Sequence, residues 1–301
     1  MNIHIALCTD ENFVIPALTC ITSVLENNRE DFCSFTILTS GLSDYAHKKF
    51  ERLSSAYGRP IAIKDIDEKM FCNLPVIDRY PLSMYYRFLL PEVLTTESRV
   101  LYLDCDTIVR QSLRALFQTD LAGKACAVVE DQQSDDTLII NRLRLTETYF
   151  NSGVMLLNLA YWREHDIPAA LIHCIKENYH QCTYPDQDAL NMVLRGKVRY
   201  LPYTYNCQEM WITQRQQARF HYSKWPALDV AINNPAIVHF CVGDKPWYEE
   251  CKNPFATDFL KYAYLHPFIG FVRKKKYGYL YHRLVAWEMR FHRWSLKLIN
   301  K

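Results

Sequence analysis

The sequence predicts an α/β fold in which a largely parallel central sheet is flanked by helices. Short apolar runs alternate with segments of helical periodicity over residues 3–63, in the order strand, helix, strand, helix, strand. Further apolar runs follow without a flexible linker or an internal repeat. The chain has 301 residues, which is long enough to bury a large core without disulfide bonds.

Each element has a local reason in the sequence. Residues 3–7 are an apolar run that ends in a polar cluster, and residues 13–25 follow with apolar side chains at helical spacing. Ser43 is a suitable N-cap for a second helix that reaches Tyr57 and is stopped by Gly58. The remaining predicted strands are residues 35–39, 61–63, 100–103, 125–129, 154–157 and 237–241.

Glycine is scarce in this chain. There are eight glycines, and no two of them lie within three positions of each other. A dinucleotide-binding G-x-G-x-x-G loop needs closely spaced glycines, and no phosphate-binding G-x-x-x-x-G-K loop can be written either. Rossmann dehydrogenases, P-loop NTPases and protein kinases are therefore poor candidates for the function class.

Eleven cysteines are scattered between Cys8 and Cys251 with no C-x-x-C pair. Their odd number and irregular spacing favour free thiols in a reducing compartment over a disulfide framework or a zinc site. The N-terminus is unlike a signal peptide, and no stretch approaches the roughly 18 apolar residues that span a bilayer. We therefore expect a cytoplasmic location.

Charge is unevenly distributed along the chain. The formal net charge is +2, yet residues 273–301 hold nine basic residues and one acid, or +8, which leaves −6 for residues 1–272. From Tyr277 to Leu298 apolar side chains recur at helical spacing, with basic residues on the opposite face. This pattern is typical of a helix that lies on an anionic membrane surface.

We accordingly predict a catalytic domain at residues 1–265 and a basic amphipathic tail at residues 266–301. The tail would make the protein peripheral on the cytoplasmic face of the membrane. The alternative is that its apolar stripe packs on the body. Nucleic acid is not expected as a partner, because the body offers no second basic surface to continue the track.

Two acids directly follow the apolar run at residues 100–103. In an extended chain Asp104 and Asp106 point the same way, while Cys105 faces the other side. Open α/β sheets bind ligands at the carboxyl ends of their strands, and paired carboxylates favour a cation such as Mg²⁺ or Mn²⁺. A turn that caps a helix is one alternative. A phosphatase of the haloacid-dehalogenase type is another, although Ile108 stands where such enzymes usually have a hydroxyl residue.

A second polar segment, residues 238–247, places His239 at the end of an apolar run, before Gly243 and Lys245. An imidazole beside two carboxylates shifts the preferred metal from Mg²⁺ towards Mn²⁺. A lysine after a flexible backbone can hold a diphosphate as a point charge. A lone histidine on a strand is usually a core residue, but with the upstream acid pair we predict that His239 is a metal ligand.

Together these segments resemble the family 8 retaining glycosyltransferases, which include glycogenin and the bacterial lipopolysaccharide and lipooligosaccharide glucosyl- and galactosyltransferases. The likeness covers roughly residues 3–250. Its motifs are L-Y-L-D-x-D at residues 101–106, Y-R at 86–87, F-N-S-G-V-M-L-L-N-L at 150–159, D-Q-D-A-L-N at 186–191, and H-F followed by K-P-W at 239–247.

The resemblance implies a nucleotide-diphospho-sugar transferase fold of the GT-A type. It also implies a retaining, Mn²⁺-dependent transfer of glucose or galactose from a UDP-hexose donor, with Mg²⁺ as a possible substitute. The expected acceptor is a glycan or glycolipid, in particular the lipopolysaccharide or lipooligosaccharide core.

Carried over residue by residue, the resemblance implies several groups of site residues. The metal ligands are Asp104, Asp106 and His239. The nucleotide-binding residues are Thr9, Asp10, Asn12, Phe13, Asp104 and Cys105. The donor-sugar residues are Arg87, Asp131, Asn151, Ser152, Asp186 and Gln187, with Glu130 as an alternative to Asp131. The diphosphate is held by Gly243 and Lys245, and the catalytic residues are Gln187, Asp186 and Lys245.

One departure from the family pattern concerns the loop after the histidine. The family usually has its glycine three residues after this histidine, whereas here Val242 holds that position and Gly243 follows. The loop contacts to the diphosphate are therefore open, while the spacing from His239 to Lys245 is kept.

The reaction that the family implies retains the configuration at the anomeric carbon. Gln187 is a poor nucleophile, which favours attack on the face that the leaving group departs from. A metal-dependent sugar-nucleotide hydrolase or phosphatase and a non-catalytic UDP-sugar-binding protein are the competing hypotheses.

Overall fold

Ten strands form two sheets within residues 1–71, 74 and 81–276, the part of the chain that this computed structural model describes. The main sheet contains β1 (Asn2–Cys8), β2 (Phe32–Thr39), β3 (Ile61–Asp65), β4 (Arg99–Leu103), β6 (Cys126–Glu130), β7 (Phe150–Asn158) and β8 (Val198–Tyr200). The small sheet contains β5 (Thr107–Val109), β9 (Cys207–Gln208) and β10 (Ile237–His239).

Helices cover both faces of the main sheet. Within the described residues the α-helices are α1 (Val14–Asn27), α2 (Asp44–Tyr57), α3 (Leu90–Val93), α4 (Arg114–Phe117), α5 (Thr137–Arg142), α6 (Leu159–Glu164), α7 (Ile167–Asn178), α8 (Pro185–Val193), α9 (Glu209–Thr213), α10 (Trp225–Asn233) and α11 (Ala256–Leu265). Short 3₁₀ helices include Glu11–Phe13 and Leu82–Leu89, which both lie near the site described below.

The main sheet is largely parallel, as the sequence predicts. Its order is β3-β2-β1-β4-β7-β6-β8, and β7 runs antiparallel to both of its neighbours. The other pairs, β1 with β2 and β4, β2 with β3, and β6 with β8, are parallel. An antiparallel strand begins at the edge where its parallel neighbours end. The start of β7 therefore lies beside the end of β4.

The core is divided between the two faces of this sheet. Ile3, Ile5 and Leu7 of β1 belong to a cluster that includes residues of α1, α2 and α11, whereas Ala6 belongs to one that includes residues of α3, α6, α7 and α8. Side chains alternate between the faces of a strand, and both faces are covered by helices. This explains why these strands are continuous apolar runs rather than alternating ones.

Local signals place several boundaries correctly. The Ser43 hydroxyl accepts a hydrogen bond from the Ala46 backbone N–H at 3.2 Å, and α2 ends at Tyr57 with Gly58 in the left-handed region at φ 61°. The first predicted helix begins one residue later than expected, because Asp10 caps the 3₁₀ helix Glu11–Phe13 that precedes α1.

Other boundaries depend on pairing between distant strands. The predicted strand at residues 154–157 extends over the whole of β7, and the one at residues 237–241 stops at His239 and joins the small sheet. There β10 pairs with β5 antiparallel and with β9 in parallel.

The chain beyond α11 continues to pack on the body as far as it is described. Ile269 is fully buried, and the Lys274 backbone N–H donates to the Trp247 carbonyl at 2.8 Å. The predicted amphipathic helix from Tyr277 to Leu298 lies outside the described residues, and the domain boundary at residue 265 stays a prediction. No helix in the described ranges is both long and apolar enough to cross a membrane.

Candidate functional site

The site lies where β1 and β4 end and β7 begins. The Asp104 backbone N–H donates to the Gly153 carbonyl at 2.8 Å, which fastens the end of β4 to the start of β7. The small sheet adds His239, because β10 pairs with β5 in a register that sets His239 opposite Thr107. Three segments that are far apart in the sequence therefore meet at one sheet edge.

Asp104, Asp106 and His239 form the metal cluster, a group of three side chains that could hold a metal ion. Each offers one ligand atom, and these atoms all lie within 4.8 Å of one another. The His239 Nε2 atom is 3.3 Å from Asp106 Oδ1 and 3.7 Å from Asp104 Oδ2. Two carboxylates and one imidazole suit a divalent cation such as Mn²⁺.

Gly153 tests whether the cluster was built around a ligand. A Cβ atom added here would lie 2.2 Å from His239 Cε1 and 2.6 Å from Asp104 Oδ2. Any larger residue would displace two members of the cluster, so the fold keeps this position free of a side chain. The residues present therefore fit a bound cation.

The two acids converge for a reason other than the predicted one. An extended chain was expected, but residues 104–107 form a tight turn between β4 and β5. The Thr107 backbone N–H and hydroxyl both bond to the Asp104 carbonyl, at 3.2 and 2.8 Å. The prediction that Cys105 faces away holds, since its thiol donates to the Cys8 carbonyl at 3.1 Å in the core. Burial raises the pKa of the Cys105 thiol well above its usual value.

Arg87 connects the metal cluster to the predicted sugar site. It is 5% exposed, and its guanidinium donates to Asp104 Oδ1 at 3.0 Å and to the Ser152 carbonyl at 2.9 Å. Asp186 Oδ2 lies 3.5 Å from the same guanidinium. Burial acts to lower the pKa of Arg87, but the surrounding Tyr102, Asp104 and Asp186 outweigh it and raise that pKa above its usual value.

Lys245 contacts the metal cluster directly. Its Nζ atom donates to Asp106 Oδ2 at 2.6 Å and to the Phe240 carbonyl at 2.5 Å. Burial acts to raise the pKa of Asp106, but the neighbouring Lys245 and His239 overcome this and hold it below the usual value. Gly243 lies in the loop between β10 and Lys245, where a Cβ atom added to it would lie 3.8 Å from Lys276 Nζ, an ordinary contact.

The predicted donor-sugar residues form one hydrogen-bonded group. The Gln187 amide donates to Asp131 Oδ2 at 3.1 Å and accepts from the Ser152 backbone N–H at 3.0 Å. Asn151 Nδ2 also donates to Asp131 Oδ2, at 3.1 Å. Burial raises the pKa of Asp131 and of Asp186 above the usual value, although the amides bonded to Asp131 and the charge of Arg87 beside Asp186 act against it.

A cleft of about 210 Å³ joins this group to the metal cluster. Its lining contains the predicted residues Arg87, Asp104, Asp106, Asp131, Asn151, Ser152, Asp186, Gln187 and His239. Glu130, the alternative to Asp131, is not in the lining and pairs with Lys224 at 2.7 Å. The lining also includes Met84, Gln132 and Tyr184, for which the sequence carried no signal that we used.

The predicted nucleotide-binding loop lies beside this cleft and does not line it. Asp10 Oδ1 accepts from the backbone N–H groups of Asn12 and Phe13 at 2.8 and 3.1 Å, and Thr9 is buried at the end of β1. The Phe13 ring packs edge-to-face on Trp247 at 5.8 Å. This contact joins the loop to the segment that carries Lys245.

Besides Met84, Gln132 and Tyr184, the sequence did not reveal the roles of Gly153 and Asn206 in the site. Gly153 lies inside a motif that was recognised, yet its role as an open position beside His239 needs the tertiary structure. Asn206, which contacts His239, lies in no recognised motif.

Comparison with known proteins gives a consistent result. The sequence model of glycosyl transferase family 8 matches residues 4–251. General stress protein A of Bacillus subtilis (strain 168) is 29% identical over 269 residues, which span 86% of this chain and 92% of that protein. A lipopolysaccharide 1,2-glucosyltransferase of Escherichia coli is 27% identical over 263 residues, with 85% of this chain and 76% of the enzyme covered.

A solved structure supports the same relationship. The galactosyltransferase LgtC, in complex with donor and acceptor sugar analogs, superposes with a TM-score of 0.77 at 27% identity. The match covers 87% of this chain and 95% of LgtC.

Proposed function

The chain belongs to glycosyl transferase family 8, and on that premise we propose that it transfers a hexose from a UDP-sugar to a glycan acceptor with retention of anomeric configuration. It is a glycosyltransferase with the fold of LgtC. The donor hexose, glucose or galactose, and the use of Mn²⁺ are part of the proposal, as is a lipopolysaccharide or lipooligosaccharide core as the acceptor.

The cluster of Asp104, Asp106 and His239, open to the adjoining cleft, is the observation that carries this proposal. A nucleotide diphosphate has two negative groups that must be neutralised when it departs. A divalent cation held by these three residues would supply that neutralisation as a Lewis acid. Lys245, already bonded to Asp106, adds a second positive charge at the same place.

The donor-sugar group is assigned by chemistry. Asp131, Asp186, Asn151 and Gln187 line one cleft with hydrogen-bond donors and acceptors, which suits the hydroxyl groups of a hexose. Arg87 holds Asp104 and orients Asp186, so the metal ligand and the sugar-binding acid share one cation.

Attack on the face of the departing diphosphate is the favoured course of the reaction. Both ends of the Gln187 amide are engaged, its oxygen by Ser152 and its nitrogen by Asp131. An amide held in this way is suited to stabilising a developing positive charge and unsuited to forming a covalent intermediate. The acceptor hydroxyl would then attack directly.

Membrane association through the basic tail remains part of the proposal. The full chain is expected to float with anionic liposomes at low salt, whereas a chain ending at Lys276 is expected to stay in the bottom fraction of the gradient. Truncation after Lys276 keeps Ile269 and the Lys274 contact with Trp247, so the body stays intact. Failure of the full chain to float would remove the tail from the proposal and leave the catalytic site untouched.

The proposed activity is tested by release of UDP from a panel of UDP-glucose, UDP-galactose and UDP-N-acetylglucosamine. Truncated lipopolysaccharide should stimulate release from one UDP-hexose, EDTA should abolish it, and Mn²⁺ should restore it. The product linkage, read by NMR, should keep the anomeric configuration of the donor. Release that ignores the acceptor would indicate a hydrolase instead. Tight UDP binding without turnover would indicate a binding protein.

A further inference from the structure

A buried asparagine that no motif marks lies directly behind the metal cluster. Asn206 is fully buried and follows the 3₁₀ turn Tyr203–Tyr205, just before β9. Its Oδ1 atom is 3.1 Å from His239 Nδ1, and its Nδ2 atom donates to Asn151 Oδ1 at 2.9 Å. One side chain therefore touches both a metal-cluster histidine and a donor-sugar residue.

The other hydrogen bonds of the Asn151 amide show which group donates in each of these contacts. Asn151 Oδ1 also accepts from the Gly153 backbone N–H at 3.0 Å, and a backbone N–H can only donate. At its other end, Asn151 Nδ2 faces the carboxylate of Asp131, which accepts. The atom of Asn151 that meets Asn206 is therefore its oxygen, and Asn206 must offer it an N–H.

The same reasoning sets the state of the histidine ring. Because Asn206 presents its nitrogen to Asn151, it presents its oxygen to His239. His239 Nδ1 must then carry the proton that is donated to this oxygen. In a neutral ring the lone pair is left on Nε2, the nitrogen that faces Asp104 and Asp106.

We propose that Asn206 is a positioning residue that holds His239 in the Nδ1–H tautomer and couples this metal ligand to the donor-sugar group through Asn151. The inference rests on the proposed function, since it assumes a metal bound at His239. Ligand histidines usually donate their second ring N–H to a fixed acceptor, and loss of such an acceptor weakens metal binding by about 10–100-fold.

The chemistry of this position explains why asparagine is needed. His239 requires an acceptor and Asn151 requires a donor, and a carboxamide provides both from one planar group. An aspartate would keep the acceptor and lose the donor. A leucine would lose both. The two substitutions therefore separate the effect on the metal from the effect on the sugar.

The first experiment uses variants of the full chain and measures Mn²⁺ affinity by EPR of the free ion, with and without UDP. Asn206→Leu should bind Mn²⁺ about 10–100-fold more weakly. Asn206→Asp should keep affinity close to that of the unsubstituted protein but raise the KM for the donor sugar nucleotide, because Asn151 loses its partner. Equal Mn²⁺ affinity in Asn206→Leu and the unsubstituted protein would overturn the inference.

The matched control is Asn28→Leu. Asn28 is a similarly buried asparagine at the far end of α1, where it bonds to the backbone of Val24 and Leu113. It should lower thermal stability and leave Mn²⁺ affinity unchanged. If Asn28→Leu weakened Mn²⁺ binding as much as Asn206→Leu, the effect would be general destabilisation and the inference would fail.

A second measurement determines the tautomer of His239 directly, without a substitution at Asn206. Long-range ¹H–¹⁵N spectra of the unsubstituted protein report the tautomer of each histidine, and loss of one signal in His239→Gln assigns it. The Nδ1–H tautomer is expected, and an Nε2–H tautomer would overturn the inference. If the unsubstituted protein binds no Mn²⁺ with or without UDP, the proposed metal centre fails. If it binds and Asn206→Leu binds equally, only the role of Asn206 fails.

Discussion

Carboxylates are buried at both ends of the parallel strands of the main sheet, but their partners differ between the two ends. At the end where β1 and β2 begin, Asp31 is 3% exposed and bonds to the Met1 amino group at 2.9 Å and to Arg114 at 2.8 Å. Burial acts to raise the pKa of Asp31, but these two cations overcome it and lower that pKa. This acid is neutralised by partners from its own fold.

At the opposite end Asp104 and Asp106 converge on each other and on His239. Arg87 bonds to Asp104 Oδ1 and Lys245 bonds to Asp106 Oδ2, and each cation also bonds to a backbone carbonyl. The second oxygen of each acid lies near His239, and both acids line the cleft. Like charges this close are unfavourable unless a cation joins them. The contrast indicates that Asp31 serves the stability of the fold, whereas the acid pair is arranged so that it could hold a cation.

The largest difference is expected between Asp106→Asn and Asp31→Asn. Asp106→Asn removes a predicted metal ligand and should lower kcat/KM with the UDP-sugar by at least about 100-fold. Asp31→Asn should leave kcat/KM unchanged and reduce the free energy of unfolding by about 1–3 kcal/mol, because two charged hydrogen bonds are weakened. Turnover assays and urea denaturation of both variants make the comparison. Comparable loss of activity in both would break it.

A second contrast uses two glycines. Gly153→Ala places a methyl group within 2.2 Å of His239 and 2.6 Å of Asp104, so Mn²⁺ affinity and turnover should both fall by about 10-fold or more. Gly123 lies just before β6, at φ 65°, and no atom of the described residues lies within 4 Å of a Cβ atom added to it.

Gly123→Ala is the control for this substitution. It should cost about 1 kcal/mol of stability through backbone strain and leave Mn²⁺ binding intact. If Gly153 mattered only for packing, Gly153→Ala would lower thermal stability and leave Mn²⁺ affinity unchanged. EPR titration with Mn²⁺ and thermal denaturation distinguish the two cases.

The smallest expected effect concerns Glu209 at the start of α9, which is fully buried and whose carboxylate oxygens have no side-chain hydrogen-bond partner among the described residues. Burial raises its pKa to about 7, against the opposing charge of Lys245. The folded protein therefore keeps a proton that the unfolded chain releases near pH 4.5, and stability should fall as pH rises from about 4.5 to 7.

Glu209→Gln should remove this dependence. The variant should be more stable than the unsubstituted protein at pH 8, by an amount on the order of 2 kcal/mol, and close to it at pH 4.5. Urea midpoints at the two pH values provide the measurement. An equal difference at both values would mean that Glu209 is ionised throughout, as Asp31 is at its own edge.

Much of the fold follows from local sequence. The span of α2 is set by the Ser43 cap and by Gly58, and the strands β1, β2 and β4 are marked by short runs rich in apolar residues. The sequence also predicts that the acid pair and His239 share one site, because of their residue types and spacing, and the structure brings the three side chains together. Such signals are contained in about ten neighbouring residues and need no knowledge of the rest of the chain.

Only the tertiary structure decided how these strands pair and which side chains they bring together. No local sequence pattern predicts that β7 is antiparallel to its neighbours. The antiparallel direction brings Asn151 and Gly153 to the end of β4. The separate small sheet that delivers His239, the choice of Asp131 over Glu130 for the cleft, and the contact of Asn206 with His239 likewise join residues far apart in sequence. The physical reason is that strand pairing and side-chain packing are settled by the free energy of the whole core, whereas caps, turns and apolar runs are settled by their nearest neighbours.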